Sequence, residues 1–411
     1  MLLPYQPGRL MTSFRTLTVV LACLSMLGPF ATDAYLPSFL SIGAEFQASQ
    51  SMVQQTLSLY LIGFAVMSLF WGTLSDSFGR RPIILISLFL FGVGSIGSAL
   101  APSFEWLLFF RILQGCSAGA GRVVGQALVR DRFNGPEAQR MFANITMVFS
   151  LAPAIAPVVG GYLDSYAGWR STFVLLTVFT VALMVVCWRQ LPESLVHEAR
   201  QPLKLGVIFR NYIKALRHRE FLLAILGVGF AFSGFALYIA SAAGFVMGIL
   251  GLPETAFGWL FIPFIVGMVG GSMISSRLAG RVPANRMIRV GLLVMATGAL
   301  LNVLYNAFWV ATVPWAVMPI FVYALGMSLA LPNMTVMVLN IFPQMRGLAS
   351  SLQSSVQMTI FATVSGLIAP LVFDSALLLS VGMLGSATLC ISFWFAGRQA
   401  ARRRGDKPLT V

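Results

Sequence analysis

Apolar runs of about twenty residues recur along the whole chain, and mostly short polar segments separate them. This pattern predicts membrane-spanning α-helices, because barrel strands would alternate between apolar and polar positions. Twelve spans are predicted, at residues 15–36, 53–75, 83–101, 105–129, 141–163, 171–188, 221–247, 256–276, 287–308, 313–339, 347–372 and 376–396.

One long polar segment, residues 189–220, interrupts the series of spans. It predicts an N-terminal six-helix bundle over 1–188, a cytoplasmic linker over 189–220, and a C-terminal six-helix bundle with a short basic tail over 221–411. Spaced apolar residues from Leu205 to Leu216 favour an amphipathic linker helix on the membrane surface, although a basic connector is the simpler interpretation. The fold class is an all-α membrane protein with two six-helix bundles around a central cavity, an arrangement typical of secondary transporters.

Composition supports a membrane protein, since 58% of the 411 residues are hydrophobic and 10% are charged. All but three of the 27 basic residues fall on one side of the predicted topology. Arg111 and Arg122 lie inside a span, and Arg170 lies on the other side. The positive-inside rule then places both termini in the cytoplasm, and we expect a multi-pass protein of the bacterial inner membrane. Topology explains the net charge of +14 better than nucleic-acid binding does.

Nothing in the chain points to an enzyme. There is no phosphate-binding loop, both histidines (His197 and His218) lie in the linker, and the four cysteines fall in predicted spans. We expect no metal and no cofactor, with the proton as coupling ion.

Charged residues inside the predicted spans are the candidates for chemistry. Asp33 is the sole acid in the interior of one, since Glu105 stands at the first residue of the fourth, and a carboxylate at membrane depth costs on the order of 2.5–3.5 kcal/mol. Arg111 and Arg122 are eleven residues apart, close to three helical turns, so both are expected to line one cavity wall. The alternatives are that Asp33 is an interfacial acid that caps or pairs locally with Arg170 or another group, and that Arg122 snorkels to the cytoplasmic surface.

The segment after the second span resembles the signature of the major facilitator superfamily. Its residues are Gly72, Asp76, Gly79, Arg80 and Arg81. Gly72 would allow close helix approach, Gly79 a tight turn, and Asp76 a pair with Arg80 one turn later. The resemblance implies a cytoplasmic latch that is charge-paired in one access state and released in the other, whereas Arg80 and Arg81 could also serve only as topological anchors.

Two further segments resemble motifs of the same superfamily. The run from Arg111 through Gln114 to Gly119 is similar to a motif in which a buried arginine is associated with proton transfer. The guanidinium would favour a charged Asp33, while burial would favour the neutral acid. The fifth span resembles the antiporter signature of drug and proton exchangers through four residues, Pro153, Pro157, Gly160 and Gly161. We expect it to be kinked and to pack tightly against Gly267, Gly270 and Gly271 of the eighth span.

The end of the first span, Asp33-Ala-Tyr35-Leu-Pro37, resembles the Bcr/CflA drug-resistance subfamily. This implies Asp33 as the proton- and cation-binding carboxylate, and Asp33, Arg111 and Arg122 as the proton-coupling group. Aromatic and amide residues are expected to line the substrate cavity, with Gln126 as a further candidate; they are Tyr35, Tyr60, Gln114, Asn144, Phe235, Tyr238, Asn333, Gln353 and Gln357.

The expected function is proton-coupled antiport that exports small amphipathic drugs, including phenicol- or bicyclomycin-type antibiotics, by a functional monomer. The alternative is proton-coupled transport of an endogenous metabolite such as a nucleoside, sugar or amino acid. We expect the small-molecule substrate, protons and the lipid bilayer as partners, and no nucleic acid.

Overall fold

A computed structural model describes residues 14–133, 135–195, 200, 203, 205–278, 281–342 and 345–403. The side chains of residues 130, 135–140, 142–144, 146–151, 154, 205, 254, 346 and 403 are outside this description. The candidate Asn144, His197 of the linker and most of the basic tail therefore lie outside the described part of the chain.

The described chain is α-helical almost throughout. In chain order the helices are α1 (Phe14–Asp33), α2 (Phe39–Phe46), α3 (Gln50–Phe78), α4 (Arg80–Ala99), α5 (Phe104–Ala118), α6 (Ala120–Arg132), α7 (Gly135–Ala167), α8 (Arg170–Gln190), α9 (Leu205–Arg217), α10 (Arg219–Ala240), α11 (Gly258–Leu278), α12 (Ala284–Phe308), α13 (Met318–Ile341), α14 (Arg346–Thr363), α15 (Ala369–Val372) and α16 (Ala376–Arg403).

Ten of the predicted spans correspond to helices that are long and apolar enough to cross a membrane. The fourth span is instead divided between α5, of 15 residues, and α6, of 13 residues, which meet at Gly119. The fifth corresponds to α7, which has 33 residues and contains Pro153 and Pro157. Two short π-helical turns, Gly244–Ile249 and Val364–Ile368, follow α10 and α14.

One glycine, Gly79, determines how α3 connects to α4. Gly79 has φ +103°, a left-handed conformation that an L side chain rarely adopts, and it separates α3 from α4 with no further loop residue. The tight turn expected at Gly79 is therefore confirmed. The close helix approach expected at Gly72 is not found, because a Cβ there would meet Val123 at 3.7 Å, an ordinary contact.

Helix pairing repeats between the two parts of the chain. In the first part α1 packs on α7, α3 on α5, and α4 on α8. In the second part α10 packs on α14, α11 on α13, and α12 on α16. These are corresponding pairs if α1 is equivalent to α10, so the two parts of the chain share one pattern of helix packing.

The two parts contact each other mainly through α3 with α14, and through α7 with α11 and the turn Glu254–Phe257. The expected contact between the fifth and eighth spans exists, but the predicted glycines do not form it. A Cβ on Gly267 or Gly271 would overlap the backbone of α13, and one on Gly270 would meet nothing within 4 Å. The small residues of α11 are used to pack within the second part of the chain.

The predicted linker helix is present as α9. One of its faces carries Ile208, Asn211 and Tyr212 toward the interior of the molecule. The Tyr212 hydroxyl donates a hydrogen bond to the Leu69 carbonyl at 2.8 Å. Phe209 and Ile213 on the other side are exposed. Contact with a membrane surface through these residues stays a prediction.

Candidate functional site

A cavity of about 810 Å³ lies between the two parts of the chain. It opens at the basic end of the helices, which we define as the end where Arg80, Arg132 and Arg219 lie. Its walls come from α3, α6, α9 and α14. The lining combines apolar side chains with hydroxyl and amide groups, among them Phe64, Ser68, Gln126, Asn211, Ser354, Gln357 and Met358. A small amphipathic molecule fits such a lining.

An ion cluster stands at the mouth of this cavity. Arg80 is 2.5 Å from Asp76 and 3.0 Å from Asp131, and its Nη1 also donates to Ser75 Oγ at 2.6 Å. The Arg80 side chain is only 8% exposed. Its charge is paired with acids on two different helices, α3 and α6. The predicted pair of Asp76 with Arg80 is present, while Asp131 was missed by sequence reasoning.

Glu193 is a second residue that the motif did not reveal. Its carboxylate accepts hydrogen bonds from the backbone N–H groups of Arg80 and Arg81, at 3.0 and 3.2 Å. Those N–H groups begin α4 and have no partner inside the helix, so an anion there is favoured by the helix dipole. The Arg81 side chain donates to the Trp188 carbonyl at 2.5 Å. The segment from Gly72 to Arg81 is thus attached to the end of α8 and to the chain that follows it.

The opposite end of the helices, where Glu45, Arg170 and Asp374 lie, is held together across the two parts of the chain. Gln54 Nε2 donates to the Ala240 carbonyl at 3.2 Å, and Gln55 Nε2 donates to the Gly366 carbonyl at 3.1 Å. Gln54 is fully buried. The structure is therefore open at the basic end and closed around α3 at the other.

Arg111 is fully buried and does not line the cavity, contrary to expectation. Its guanidinium carbon lies 4.6 Å from the ring centroid of Tyr35 and 4.4 Å from that of Tyr60, so these rings separate it from the open space. Nη1 donates to Gln114 Oε1 at 2.8 Å and reaches the Ala31 carbonyl at 3.5 Å. Nε and Nη2 have no hydrogen-bond partner among the described residues. Cation–π attraction is the main compensation for this charge.

Asp33 is also buried, with 4% of its surface exposed, at the last residue of α1. Thr32 Oγ1 donates to its Oδ1 at 3.0 Å. Within the described residues Asp33 forms no ion pair with Arg111 or with Arg170, which is 2.5 Å from Glu45 instead. Local pairing with Arg170 is therefore excluded in this state. Arg111 reaches only the backbone two residues before Asp33.

Asp33 is not the sole acid enclosed by helices. Because α7 continues to Ala167, it includes Asp164, which is 7% exposed and accepts a hydrogen bond from Ser41 Oγ at 2.7 Å. The predicted fifth span ends at residue 163, one residue before Asp164, whereas the helix continues beyond the apolar run.

Arg122 lines the cavity. Its side chain is exposed to that space. Arg122 lies near the start of α6, far along the helix from Arg132 at the basic end. The neighbouring Gly121 packs against the Leu24 backbone of α1, and this contact fixes the position of Arg122 along the length of α1. The described lining thus favours the cavity position for Arg122 over snorkelling to the surface.

Most other predicted cavity residues are packing residues in this state. Gln357 lines the cavity and so does Gln126, but six of the others are absent from its described wall and are enclosed among helices: Tyr35, Tyr60, Gln114, Phe235, Tyr238 and Gln353. Asn333 donates to Ser275 and also lies outside the wall. Tyr35 and Thr56 share a hydrogen bond, and Asn302 donates to Tyr238, so these hydroxyls have partners within the helices.

The residues of the antiporter signature pack α7 against α1. A Cβ on Gly160 would overlap the Ala34 carbonyl, so only glycine fits at this contact. Pro157 and Gly161 are buried, and Pro153 is half-buried. The tight packing expected of the motif is present, but its partner is the helix that carries Asp33.

The family model for the Major Facilitator Superfamily matches residues 21–370, which is most of the chain. The chain belongs to the Major Facilitator Superfamily. Among Major Facilitator relatives, it is 32% identical over 358 residues to a bicyclomycin resistance protein homolog of Haemophilus influenzae, covering 87% of this chain and 90% of that protein. It is 27% identical over 319 residues to a chloramphenicol resistance protein of Pseudomonas aeruginosa, covering 77% and 75%.

The Major Facilitator fold is also found by structural comparison. The crystal structure of a D-xylose-proton symporter superposes with a TM-score of 0.74 at 16% identity, covering 93% of this chain and 98% of that one. The expected fold class is confirmed, and the chain is a multi-pass membrane protein of a transporter family.

Proposed function

We propose that this protein is a proton-coupled antiporter that exports small amphipathic compounds from the bacterial cytoplasm, with bicyclomycin and chloramphenicol as the first compounds to test. The observation that carries the proposal is the similarity over most of the chain to proteins named for resistance to these two compounds. The metabolite alternative has less support among these relatives.

Coupling is proposed to occur at Asp33. This carboxylate is buried near the closed end of the helices, while the cavity opens at the basic end. With the basic end and both termini in the cytoplasm of an inner-membrane monomer, the described state faces inward. Asp33 would take up a proton from the periplasm in the outward-facing state and release it after the carrier turns inward, when substrate enters the cavity.

The antiporter-like packing supports a tight coupling step. Because α7 lies directly on the end of α1 at Gly160 and Ala34, little room remains beside Asp33 for a leak of water or protons. No cofactor is invoked, since a change in the charge of one carboxylate can be linked directly to the change in access.

The test is proton-driven flux in reconstituted vesicles. Chloramphenicol movement against its gradient should follow an imposed pH step with the native protein and be lost in Asp33→Asn, because amide cannot release a proton. Asp374→Asn is the matched control, since Asp374 is an exposed acid near the same closed end of the helices. Gradient-driven accumulation by Asp33→Asn would contradict the coupling role, and a native protein that moves neither chloramphenicol nor bicyclomycin would contradict the choice of cargo.

A further inference from the structure

The charges that line the central cavity are unevenly placed. Four described lining residues carry charge, namely Asp76, Arg80, Asp131 and Arg122. The first three form the ion cluster at the mouth, where both acids are within 3.0 Å of Arg80. Arg122 precedes Asp131 by nine residues in the unbroken helix α6, which is about 14 Å along its axis. The deep part of the described cavity wall therefore contains a cation and no acid.

The polar groups around Arg122 can donate hydrogen bonds to an acceptor on a bound molecule. Gln126 lies one helical turn from Arg122, and Gln357 and Ser354 come from α14 on the facing wall. Amides and hydroxyls can donate hydrogen bonds to an oxyanion, and a guanidinium can donate two parallel ones. Phe64, Val123 and Met358 supply apolar surface beside them. The wall thus combines a place for one negative group with a place for an apolar body.

The position of Arg122 needs an explanation beyond helix packing. An arginine at membrane depth is costly and is expected to face a water-filled space or a functional partner. Here the side chain is exposed to the cavity, whereas Arg111 on the same predicted helix is enclosed by aromatic rings. The two arginines therefore have different surroundings, and only Arg122 is positioned to touch a cargo molecule.

We propose that Arg122 is a specificity-determining residue that makes the cavity prefer amphipathic organic anions, such as aromatic carboxylates, over neutral compounds of the same shape. This rests on the proposed function, in that the cavity is taken to be the substrate site. It also differs from a role of Arg122 in proton coupling, because the contact is with the cargo.

The test compares binding of two probes, 2-naphthoate and 2-naphthamide, which differ mainly in charge. Calorimetric titration of the purified full chain in detergent should give the carboxylate an affinity about tenfold above that of the amide, as expected for a charge-assisted hydrogen bond. Arg122→Gln should remove this preference and leave affinity for the amide within about twofold. Arg122→Lys should retain part of it.

Arg132→Gln is the matched control, because it removes the same charge from the same helix at an exposed position outside the described cavity wall. The proposal is overturned if the native protein binds both probes equally, if Arg122→Gln keeps the preference, or if Arg132→Gln removes it. Because binding is measured without a gradient, these outcomes are separate from failure of the proposed antiport. A separate flux assay that shows no proton-driven movement would contradict the antiport alone.

Discussion

Arg111 carries a positive charge into a pocket made largely of aromatic rings. It is among the largest fully buried side chains of the described residues, and no described acid lies within ion-pair distance of it. Removing an unpaired buried charge is often neutral or favourable for stability when an apolar group of similar length replaces it. Retention of the charge therefore points to a function that conflicts with maximal stability.

We predict that Arg111→Met keeps or raises the thermal midpoint of the protein in detergent but reduces proton-driven flux by at least about tenfold. The physical reason is that methionine removes a desolvated charge and also removes the hydrogen bonds to Gln114 and to the backbone of α1. Melting followed by intrinsic fluorescence, together with the vesicle assay, measures both quantities. A large fall in the midpoint with normal flux in the surviving protein would show that Arg111 is structural.

Sequence reasoning singled out the charges inside apolar runs, because each has a cost that demands an explanation, and their proton-coupling role stays a prediction. Asp33, Arg111 and Arg122 were found in this way. It missed Glu193 and Gln54, since a loop acid and a span amide are common and their partners are far away in sequence. It also assigned aromatic residues to the cavity that instead pack between helices, because periodicity does not tell a cavity wall from a helix contact.

Helix contacts in this molecule depend on a few glycines whose partners the sequence did not identify. Gly160 lies against the Ala34 backbone, whereas Gly270 has open space beside it. Both are in small-residue segments and both were expected to form the same contact. Small residues indicate close packing, but only the three-dimensional arrangement shows which helix is the partner.

We predict that Gly160→Ala destabilises the protein by about 1–3 kcal/mol, because the added methyl group would overlap the Ala34 carbonyl and force α1 away from α7. Gly270→Ala is the matched control and should change stability little. Thermal melting of both variants in the same detergent measures the difference. Equal midpoints for the two variants would show that α1 and α7 can separate without cost.

At the scale of the whole molecule, access depends on which end of the two parts is closed. The basic end holds the cavity, and the opposite end is joined by Gln54 and Gln55 of α3 to Ala240 and Gly366 in the second part of the chain. Both acceptors are backbone carbonyls, so the contacts do not depend on the chemistry of a partner side chain. The twelve apolar runs predicted the fold class correctly, but no pattern in them indicated which end is closed.

We predict that the double variant Gln54→Ala, Gln55→Ala shifts the population toward the state open at the opposite end by roughly thirtyfold. A net contribution of about 1 kcal/mol for each lost hydrogen bond is the basis for this estimate. Distances between spin labels on α3 and α14 at that end measure the shift. Gln126→Ala, which changes a cavity amide without touching this contact, is the control, and an unchanged distance distribution in the double variant would contradict the prediction.

The contacts of Glu193, Ser194 and Tyr212 bear on where the chain could be divided into two separately synthesised pieces. Glu193 caps α4, Ser194 Oγ donates to Asp131 at 2.8 Å, and Tyr212 is bonded to Leu69, so these residues are attached to the first part of the chain. A cut at residue 189, where the apolar run ends, would give all of these attachments to the wrong fragment. A cut between Arg217 and Arg219 would keep these three attachments inside the first fragment, and the two pieces would then meet through α9 with α10 and α14, besides the contacts of α3 with α14 and of α7 with α11.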